Sequence, residues 1–230
     1  YSGFTGGDWS VDEGYDTITD TGTTGTDRIL AQSTGNVDIC LINFDVSNGI
    51  EIIDASGATG TVRLLGQWEA NLLDFSRTQL IGSNIEICGE DGDDTLIGSN
   101  GNDRIFGGGG EDTLIGGLGT DQLTGGDSGD YFVFNASAEI GLGANRDRIL
   151  DFQTTLDFID LSAIDANTLM ANDQGFTFIG STAFVNAPSA AGQLRFAGGV
   201  LSGDTNGDSV SDFELALNGV TTLPVTALVL

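Results

Sequence analysis

Five consecutive nine-residue units, from Gly89 to Val133, most constrain what this chain can fold into. They read GEDGDDTLI, GSNGNDRIF, GGGGEDTLI, GGLGTDQLT and GGDSGDYFV, with no residue inserted between them. Each unit opens with glycine, has aspartate at its sixth place and carries an apolar residue at its eighth. Turns in general favour glycine and aspartate, but turn preference alone does not produce a strict nine-residue period. The repeat therefore predicts a solenoid of stacked coils.

Each unit has the parts of one turn and one short strand. Glycine tolerates positive φ, so the turn can point successive carbonyl groups inward, and the apolar eighth residue faces the interior of the coil. Two units then complete one coil of a parallel β-roll, and units two apart stack on the same side. Asp94, Asp112 and Asp130 are accordingly predicted to line one edge, with Asp103 and Asp121 on the other.

The oxygen atoms of such turns suit calcium, which takes about 6–8 oxygen ligands from carboxylates and main-chain carbonyls. The expected ligands are Asp94, Asp103, Asp112, Asp121 and Asp130, with the turn glycines Gly89, Gly92, Gly98, Gly101, Gly107, Gly108, Gly110, Gly116, Gly117, Gly119 and Gly125. Glu90, Ser99 and Ser128 replace glycines near the ends of the array, so we expect the most regular coordination in its middle.

The pattern G-G-x-G-x-D-x-U-x is similar to the repeats of the repeats-in-toxin (RTX) family of secreted bacterial proteins. This resemblance implies a calcium-binding β-roll with each ion held between stacked turns, in an extracellular protein. We therefore predict an all-β solenoid for the chain, with an irregular parallel β-helix over residues 1–88, the calcium-binding β-roll over residues 89–133 and a β-rich cap over residues 134–230.

The charge of the chain agrees with a cation-binding protein. Acidic residues number 34 against 7 basic ones, which gives a formal net charge of −27, and this charge repels itself in the compact state. It argues against nucleic acid and anionic membranes as partners. No apolar run reaches the roughly 18 residues of a membrane helix, and no N-terminal signal peptide is recognisable. Because the chain starts at Tyr1, we expect it to follow an upstream domain of a longer protein.

Residues 1–88 contain weaker periodicities. GYDTI (14–18) and GTDRI (25–29) reproduce half of the repeat, and whether they bind ions is open. EIIDAS (51–56) and NLLDFS (71–76) share a pattern twenty residues apart, which predicts β-helix coils of that length stacked on the roll. An antiparallel sandwich is less favoured, because hairpin signals such as Asn-Gly between alternating strands are rare.

The segments that follow Phe134 resemble the C-terminal domain of serralysin-type secreted proteases. NRDRILDF, LDFIDLSAID, GQLRF and GDTNGDSVSDFELALNG occur in the order of that domain. The resemblance covers residues 89–230 and not residues 1–88. It implies an uncleaved C-terminal signal that is recognised by a type I secretion apparatus.

A second candidate metal site lies in the last of these segments. Asp204, Asn206, Asp208 and Asp212 match places 1, 3, 5 and 9 of an EF-hand-like loop. Leu215 stands where that loop has its bidentate glutamate, and Ser209 where it has glycine. The segment is either a calcium loop or a solvated acidic turn.

Catalytic motifs are absent from the sequence. The chain has no histidine, which excludes the H-E-x-x-H zinc site of the serralysins and any Ser–His or Cys–His pair. No G-x-S-x-G elbow is present, so we expect no enzyme activity in these residues and place any catalytic domain upstream. Cys40 and Cys88 are expected to be buried free thiols, although an oxidising exterior permits a disulfide.

Two functions remain open from the sequence. The first is a module that folds on binding calcium and supports type I secretion. The second is a structural or adhesive protein whose coils assemble in a surface layer or filament through self-association. A carbohydrate-binding role is weaker, because with two tryptophans no exposed aromatic strip is evident.

Overall fold

The computed structural model describes residues 8–10, 25–41 and 43–230 of the 230-residue chain. Within this part the chain is almost entirely β, and its strands form three sheets that run along a solenoid. Neighbouring strands pair in parallel from the first coil to the start of the cap. The predicted all-β parallel solenoid is therefore confirmed.

The first part of the solenoid has three sides. Its strands are β1 (Asp8–Ser10), β2 (Arg28–Leu30), β3 (Val37–Cys40), β4 (Ile52–Asp54), β5 (Val62–Leu65), β6 (Leu72–Asp74), β7 (Gln79–Ile81) and β8 (Ile85–Asp91). Strands β1, β2, β4 and β7 form one sheet, β3, β5 and β8 belong to a second, and β6 starts the third. Of the two weak repeats, GTDRI places Ile29 in β2, where it is buried, and GYDTI lies outside the described residues.

The predicted twenty-residue coil holds only for the first described pair of strands. Strands β1 and β2 are 28 − 8 = 20 residues apart, whereas the later pairs of this part are separated by between 85 − 62 = 23 and 79 − 52 = 27 residues. The similar segments EIIDAS and NLLDFS do not stack on each other, because β4 and β6 lie in different sheets. They look alike because both Asp54 and Asp74 accept a hydrogen bond from the backbone N–H two residues later, which ends each strand in the same kind of turn.

The repeats form a two-sided continuation of this solenoid. Their strands are β9 (Thr95–Ile97), β10 (Arg104–Gly109), β11 (Thr113–Ile115), β12 (Gln122–Asp127) and β13 (Tyr131–Val133). Strand β10 pairs with β8 and β12, and β11 pairs with β9 and β13, so units two apart stack as predicted. The sheet that ends with β7 has no strand from the repeats.

The cap adds one further coil to the solenoid and then ends it with antiparallel strands. Its elements are α1 (Ser137–Ile140), β14 (Arg148–Ile149), β15 (Phe158–Asp160), β16 (Thr177–Phe178), β17 (Gln193–Ala197), β18 (Val200–Asp204), β19 (Phe213–Leu217) and β20 (Leu228–Val229). Short 3-10 helices occur at Val46–Asn48, Gly143–Asn145, Pro188–Ala190 and Val225–Ala227. Strands β14 and β15 stack on the last repeats, whereas β17, β18 and β19 form an antiparallel meander.

One hydrophobic core runs through all of these parts. The apolar eighth residues of the repeats, Leu96, Ile105, Leu114, Leu123 and Phe132, are all fully buried. In the second sheet one buried column continues from Ile39 through Ile105 to Leu217. Strand β8 also crosses the predicted boundary at residue 88 without a break. The change there is therefore in the shape of the coil, not between separate cores.

No helix in the described residues is both long enough and apolar enough to cross a membrane.

Candidate calcium-binding turns

The sixth-place aspartates of the repeats lie inside the solenoid edges. Asp112, Asp121 and Asp130 are fully buried, and Asp94 and Asp103 nearly so. Each stands directly before a strand, at the point where the glycine turn ends. A buried carboxylate is strongly disfavoured unless it is paired or coordinates a cation. These positions therefore require a partner for the charge.

The aspartates are joined into two vertical ladders by backbone hydrogen bonds. In the first ladder Asp94 N–H donates to Asp112 Oδ1 (2.8 Å), and Asp112 N–H donates to Asp130 Oδ1 (3.0 Å). In the second ladder Asp103 N–H donates to Asp121 Oδ1 (2.9 Å). The two edges predicted from the sequence are thus the ones that the structure contains.

Both ladders extend beyond the repeats, through residues that sequence reasoning missed. Asn71 N–H donates to Asp94 Oδ1 (2.6 Å), Asp121 N–H to Asp147 Oδ1 (2.7 Å) and Asp130 N–H to Asp157 Oδ1 (3.2 Å). The signal for the two cap residues was present, because D-R-I (147–149) and D-F-I (157–159) repeat the Asp-x-apolar half of the unit. The glycine half is missing there, so the nine-residue pattern did not reveal them.

The second carboxylate oxygen of most ladder aspartates has no hydrogen-bond partner. Oδ2 is buried and unpartnered in Asp94, Asp112, Asp121, Asp130 and Asp147. Asp103 differs, because its Oδ2 accepts hydrogen bonds from Ser99 N–H (2.7 Å) and Ser99 Oγ (3.0 Å). An oxygen that is buried with no donor is the position that a hard cation would fill. The residues present therefore fit calcium.

The turn glycines keep the space around these oxygens open. At the first place of each unit, a Cβ would overlap the aspartate Oδ2 of the same unit or come very close to it; the glycines concerned are Gly89, Gly98, Gly107, Gly116 and Gly125. At the second and fourth places, Gly108 (φ 120°) and Gly110 (φ 134°) lie so close to the preceding coil that a Cβ would overlap Glu90 O and Gly92 O. Main-chain carbonyls of stacked turns thus face the next coil.

The remaining predicted glycines occupy equivalent places. Gly92, Gly117 and Gly119 also have positive φ, whereas Gly101 donates its N–H to Ser99 Oγ (3.0 Å). Glu90 and Ser128, which replace glycines, keep positive φ values of 77° and 80°. The strained backbone of the turn is therefore retained where the glycine is lost. Ser99 is different, because it bonds to Asp103 instead.

Burial shifts the titration of the ladder carboxyls. Desolvation, together with repulsion from nearby carboxylates, raises the pKa of Asp112 to about 7 and that of Asp121 to about 8. Desolvation likewise raises the pKa of Asp94, Asp103 and Asp130 to about 6 and that of Asp147 to about 7. A bound cation would lower these pKa values again, because its positive charge favours the ionised carboxylates.

Side chains alone do not make a complete metal site here. In the described part of the chain no three His, Cys, Asp or Glu side chains are grouped so that they could hold a metal ion. A calcium ion at these turns would take one or two aspartate carboxylates and draw its other ligands from the main-chain carbonyls. When bound, the ion would neutralise the carboxylates and tie one coil to the next.

The EF-hand-like segment forms a closed loop between β18 and β19. Asp204 is fully buried, and its carboxylate accepts backbone N–H groups of Asn206, Gly207 and Ser209. The other three predicted ligands also bond within the loop. Asp212 accepts from Thr205 N–H and Asn206 Nδ2, Asn206 Oδ1 accepts from Asp208 N–H, and Asp208 accepts from Val210 N–H. Calcium binding there stays a prediction, and it would require these bonds to be exchanged for metal bonds.

The two cysteines are free thiols in one register column of the second sheet. Cys40 pairs with Leu65, and Leu65 pairs with Cys88, so a strand separates them. Desolvation raises the pKa of Cys88 to about 12, with Glu86 and Glu90 adding to the shift. Cys88 is therefore a buried, neutral thiol, whereas Cys40 is half-buried.

A comparison with known protein families agrees with this geometry. The sequence profile of the RTX calcium-binding nonapeptide repeat matches residues 89–123 in four copies. No curated protein matches the chain. Among solved structures, the AlgE6R3 subunit from the Azotobacter vinelandii mannuronan C5-epimerase, solved in solution, shares 24% identity. That match covers 78% of each chain at a TM-score of 0.39.

Stacked glycine turns that enclose buried aspartates, most of them with an Oδ2 that has no donor, define a calcium-binding β-roll. Residues 89–123 belong to the RTX calcium-binding nonapeptide-repeat family. The fifth unit has the same geometry, since Asp130 continues the first ladder and Phe132 continues the core column. The protein thus carries an RTX calcium-binding module.

Proposed function

We propose that this chain is a calcium-triggered folding module of a secreted, extracellular bacterial protein that is exported by a type I secretion apparatus. The observation that carries the proposal is the row of buried aspartate Oδ2 atoms without a partner. Each uncompensated buried charge costs several kcal/mol, whereas a typical domain is stable by only about 5–15 kcal/mol. Several such charges in one core therefore oppose folding until a cation binds.

Calcium reverses this balance by mass action. At a hundredfold excess over its Kd, each ion stabilises the folded chain by about 2.7 kcal/mol. At cytosolic calcium the module would stay unfolded and could be threaded through a narrow channel, and it would fold after export. The proposal places any catalytic activity of the whole protein in an upstream domain.

The calcium switch is tested by circular dichroism of the chain in EDTA and after stepwise addition of calcium. We expect a largely disordered spectrum for residues 89–230 that changes cooperatively to β. A chelated chain that keeps its full β signal and melting transition would refute the switch.

Export is tested separately in a host that carries a type I system. Deletion of residues 212–230 should block export. Because β19 and β20 belong to the core of the cap, the control is Leu194→Ala, which damages the same core without touching the end of the chain. Export of the deleted chain at the level of the Leu194→Ala variant would contradict the secretion signal.

A structural role is the second candidate. Ile97, Ile115 and Val133 lie in one register column of the third sheet and are only half-buried, so they form a strip of apolar side chains on its outer face. Such a strip suits self-association. Sizing in calcium separates the candidates, because a layer or filament former assembles and a secretion module stays monomeric.

A further inference from the structure

We propose that a calcium site lies outside the nine-residue repeats, between the turn that ends at Asp121 and the cap residue Asp147. This inference rests on the proposed calcium binding of the repeats. A residue of the cap would then bind the ion directly, in addition to the cap's covering the end of the roll.

We call the contact between two stacked turns of a ladder a seam. The seam between Asp121 and Asp147 has the same hydrogen bonds as the seam between Asp103 and Asp121. Asp121 N–H donates to Asp147 Oδ1 (2.7 Å), as Asp103 N–H does to Asp121 Oδ1 (2.9 Å). Arg148 N–H donates to Asp121 O (2.9 Å), as Gln122 N–H does to Asp103 O (2.9 Å). By its backbone hydrogen bonds, Asp147 is therefore the next member of the second ladder. It lies 26 residues after Asp121, whereas Asp121 lies 18 residues after Asp103.

Asp147 also has the unsatisfied oxygen that marks the repeat sites. Its side chain is fully buried, and its Oδ2 has no hydrogen-bond partner. No arginine in the described residues forms an ion pair with it, and the neighbouring Arg146 is paired with Glu214. Asp121 Oδ2 is buried and unpartnered on the other side of the seam. Two carboxylates thus each bring one free oxygen to the same edge.

The first ladder ends differently and supplies a matched control. Asp157 accepts Asp130 N–H at Oδ1 (3.2 Å), but its Oδ2 accepts Gln153 N–H (2.7 Å). Both of its oxygens therefore already accept a backbone N–H, and neither is unpartnered as Oδ2 of Asp147 is. The cap therefore supplies a metal ligand, Asp147, to the second ladder. It ends the first ladder with Asp157, whose carboxylate is fully hydrogen-bonded.

The turn before Asp147 explains why the repeat pattern does not reveal this site. The site has no glycine pair, because residues 141–147 follow α1 and contain a 3-10 helix at Gly143–Asn145. Thr120 Oγ1 donates to Asn145 O (3.2 Å), which ties this turn to the repeat turn beneath it. The carbonyl ligands on the repeat side come from the turn at residues 116–121.

The test is the number of calcium ions bound per full chain, counted by native mass spectrometry and isothermal titration calorimetry. Asp147→Asn keeps an oxygen for Asp121 N–H and places an amide where the cation would lie. We expect this variant to bind one ion fewer than the natural chain. Asp157→Asn should lower stability without changing the count. An Asp147→Asn chain that is folded in calcium and binds the full number of ions would overturn the proposal.

A second variant guards against a folding defect. Asp147→Ser removes the charge without adding an amide donor. The calcium ions bound by this variant are counted if Asp147→Asn loses its near-ultraviolet circular dichroism in calcium. The loss of one ion from the folded Ser variant supports the site, and an unchanged count overturns it. If the natural chain binds no calcium at all, the proposed function fails, which is a different result from an unchanged count in a chain that does bind.

Discussion

Asp94 donates its backbone N–H to Oδ1 of Asp112, 18 residues later, across a distance of 2.8 Å. In every ladder aspartate except Asp103, one carboxylate oxygen accepts a backbone N–H of the preceding coil in this way and so sets the register of the coils. The other oxygen is left buried without a donor in most members of the ladders. The same side chain thus aligns two coils and holds the charge that a cation must neutralise, which couples folding of the roll to binding.

The ladder members should not be equally important for calcium. Asp112 has stacked neighbours on both sides and a free Oδ2, whereas Oδ2 of Asp103 is already bonded to Ser99. We expect Asp112→Asn to weaken calcium binding by about tenfold or more, equivalent to about 1.4 kcal/mol, and Asp103→Asn to have the smaller effect. Calorimetric titration of both variants measures this. Equal losses would contradict the difference between the two positions.

Adding a methyl group to a first-place glycine should destabilise the roll. At Gly107 a Cβ would overlap both Asp112 Oδ2 and Gly125 O. Gly107→Ala should therefore cost more than about 3 kcal/mol, in the range where a single substitution indicates a specific clash. The control is Gly35→Ala, since a Cβ there comes no closer than 4.0 Å to Ser33 Oγ. Thermal melts in calcium compare them, and similar melting temperatures would show that the turn is less tightly packed than described.

The nine-residue period determined the roll correctly because each unit specifies both its turn and its strand locally. The burial of Leu114 and the stacking of Asp112 on Asp94 follow from that spacing alone. In the three-sided part the spacing failed, because similar strands such as β4 and β6 recur on different sides of one coil. Local similarity there reflects the shared turn chemistry of Asp54 and Asp74, and it does not define the coil.

The ends of the ladders could not be predicted for a related reason. Asp147 is placed by the cap, whose path through α1 and a 3-10 helix has no fixed length in sequence. Its role depends on which strand pairs with β12, and that is a tertiary property. The same holds for Asp204, whose carboxylate is bonded inside its own loop although its spacing matches a metal-binding loop.

The stability of the chain should depend on pH in opposite ways with and without calcium. Without calcium the folded pKa of Asp112 is raised to about 7 and that of Asp121 to about 8, against about 3.9 for an unfolded aspartate. The folded state then binds more protons, so its stability is greatest at low pH and is lost as the pH rises through about 7–8. With calcium the carboxylates must be ionised to bind, so acid weakens the complex.

We therefore expect the β signal of the chelated chain in circular dichroism to be larger at pH 5 than at pH 8, whereas in calcium the melting temperature should be higher at pH 8 than at pH 5. The double variant Asp112→Asn, Asp121→Asn should show a flatter pH dependence in EDTA, because the two groups with the most raised pKa values are gone. An unaltered pH profile in that variant would mean that other carboxyls control the acid response.

The three-sided part should need calcium less than the roll does. On the edge that continues the second ladder, the residues before β3, β5 and β8 are the neutral Asn36, Thr61 and Asn84. Their groups are satisfied within the protein: Asn36 Oδ1 accepts Thr61 N–H (3.1 Å), and Asn84 Nδ2 donates to Gly60 O (2.5 Å). No buried charge accumulates on this edge.

In EDTA we expect amides of Val62–Leu65 to stay protected from hydrogen exchange, while amides of Thr113–Ile115 exchange at nearly unfolded rates. Calcium should restore protection to Thr113–Ile115 and change Val62–Leu65 little. Equal protection of both strands in EDTA would show that the roll does not need calcium. Equal loss of protection would show that the three-sided part depends on calcium as much as the roll does.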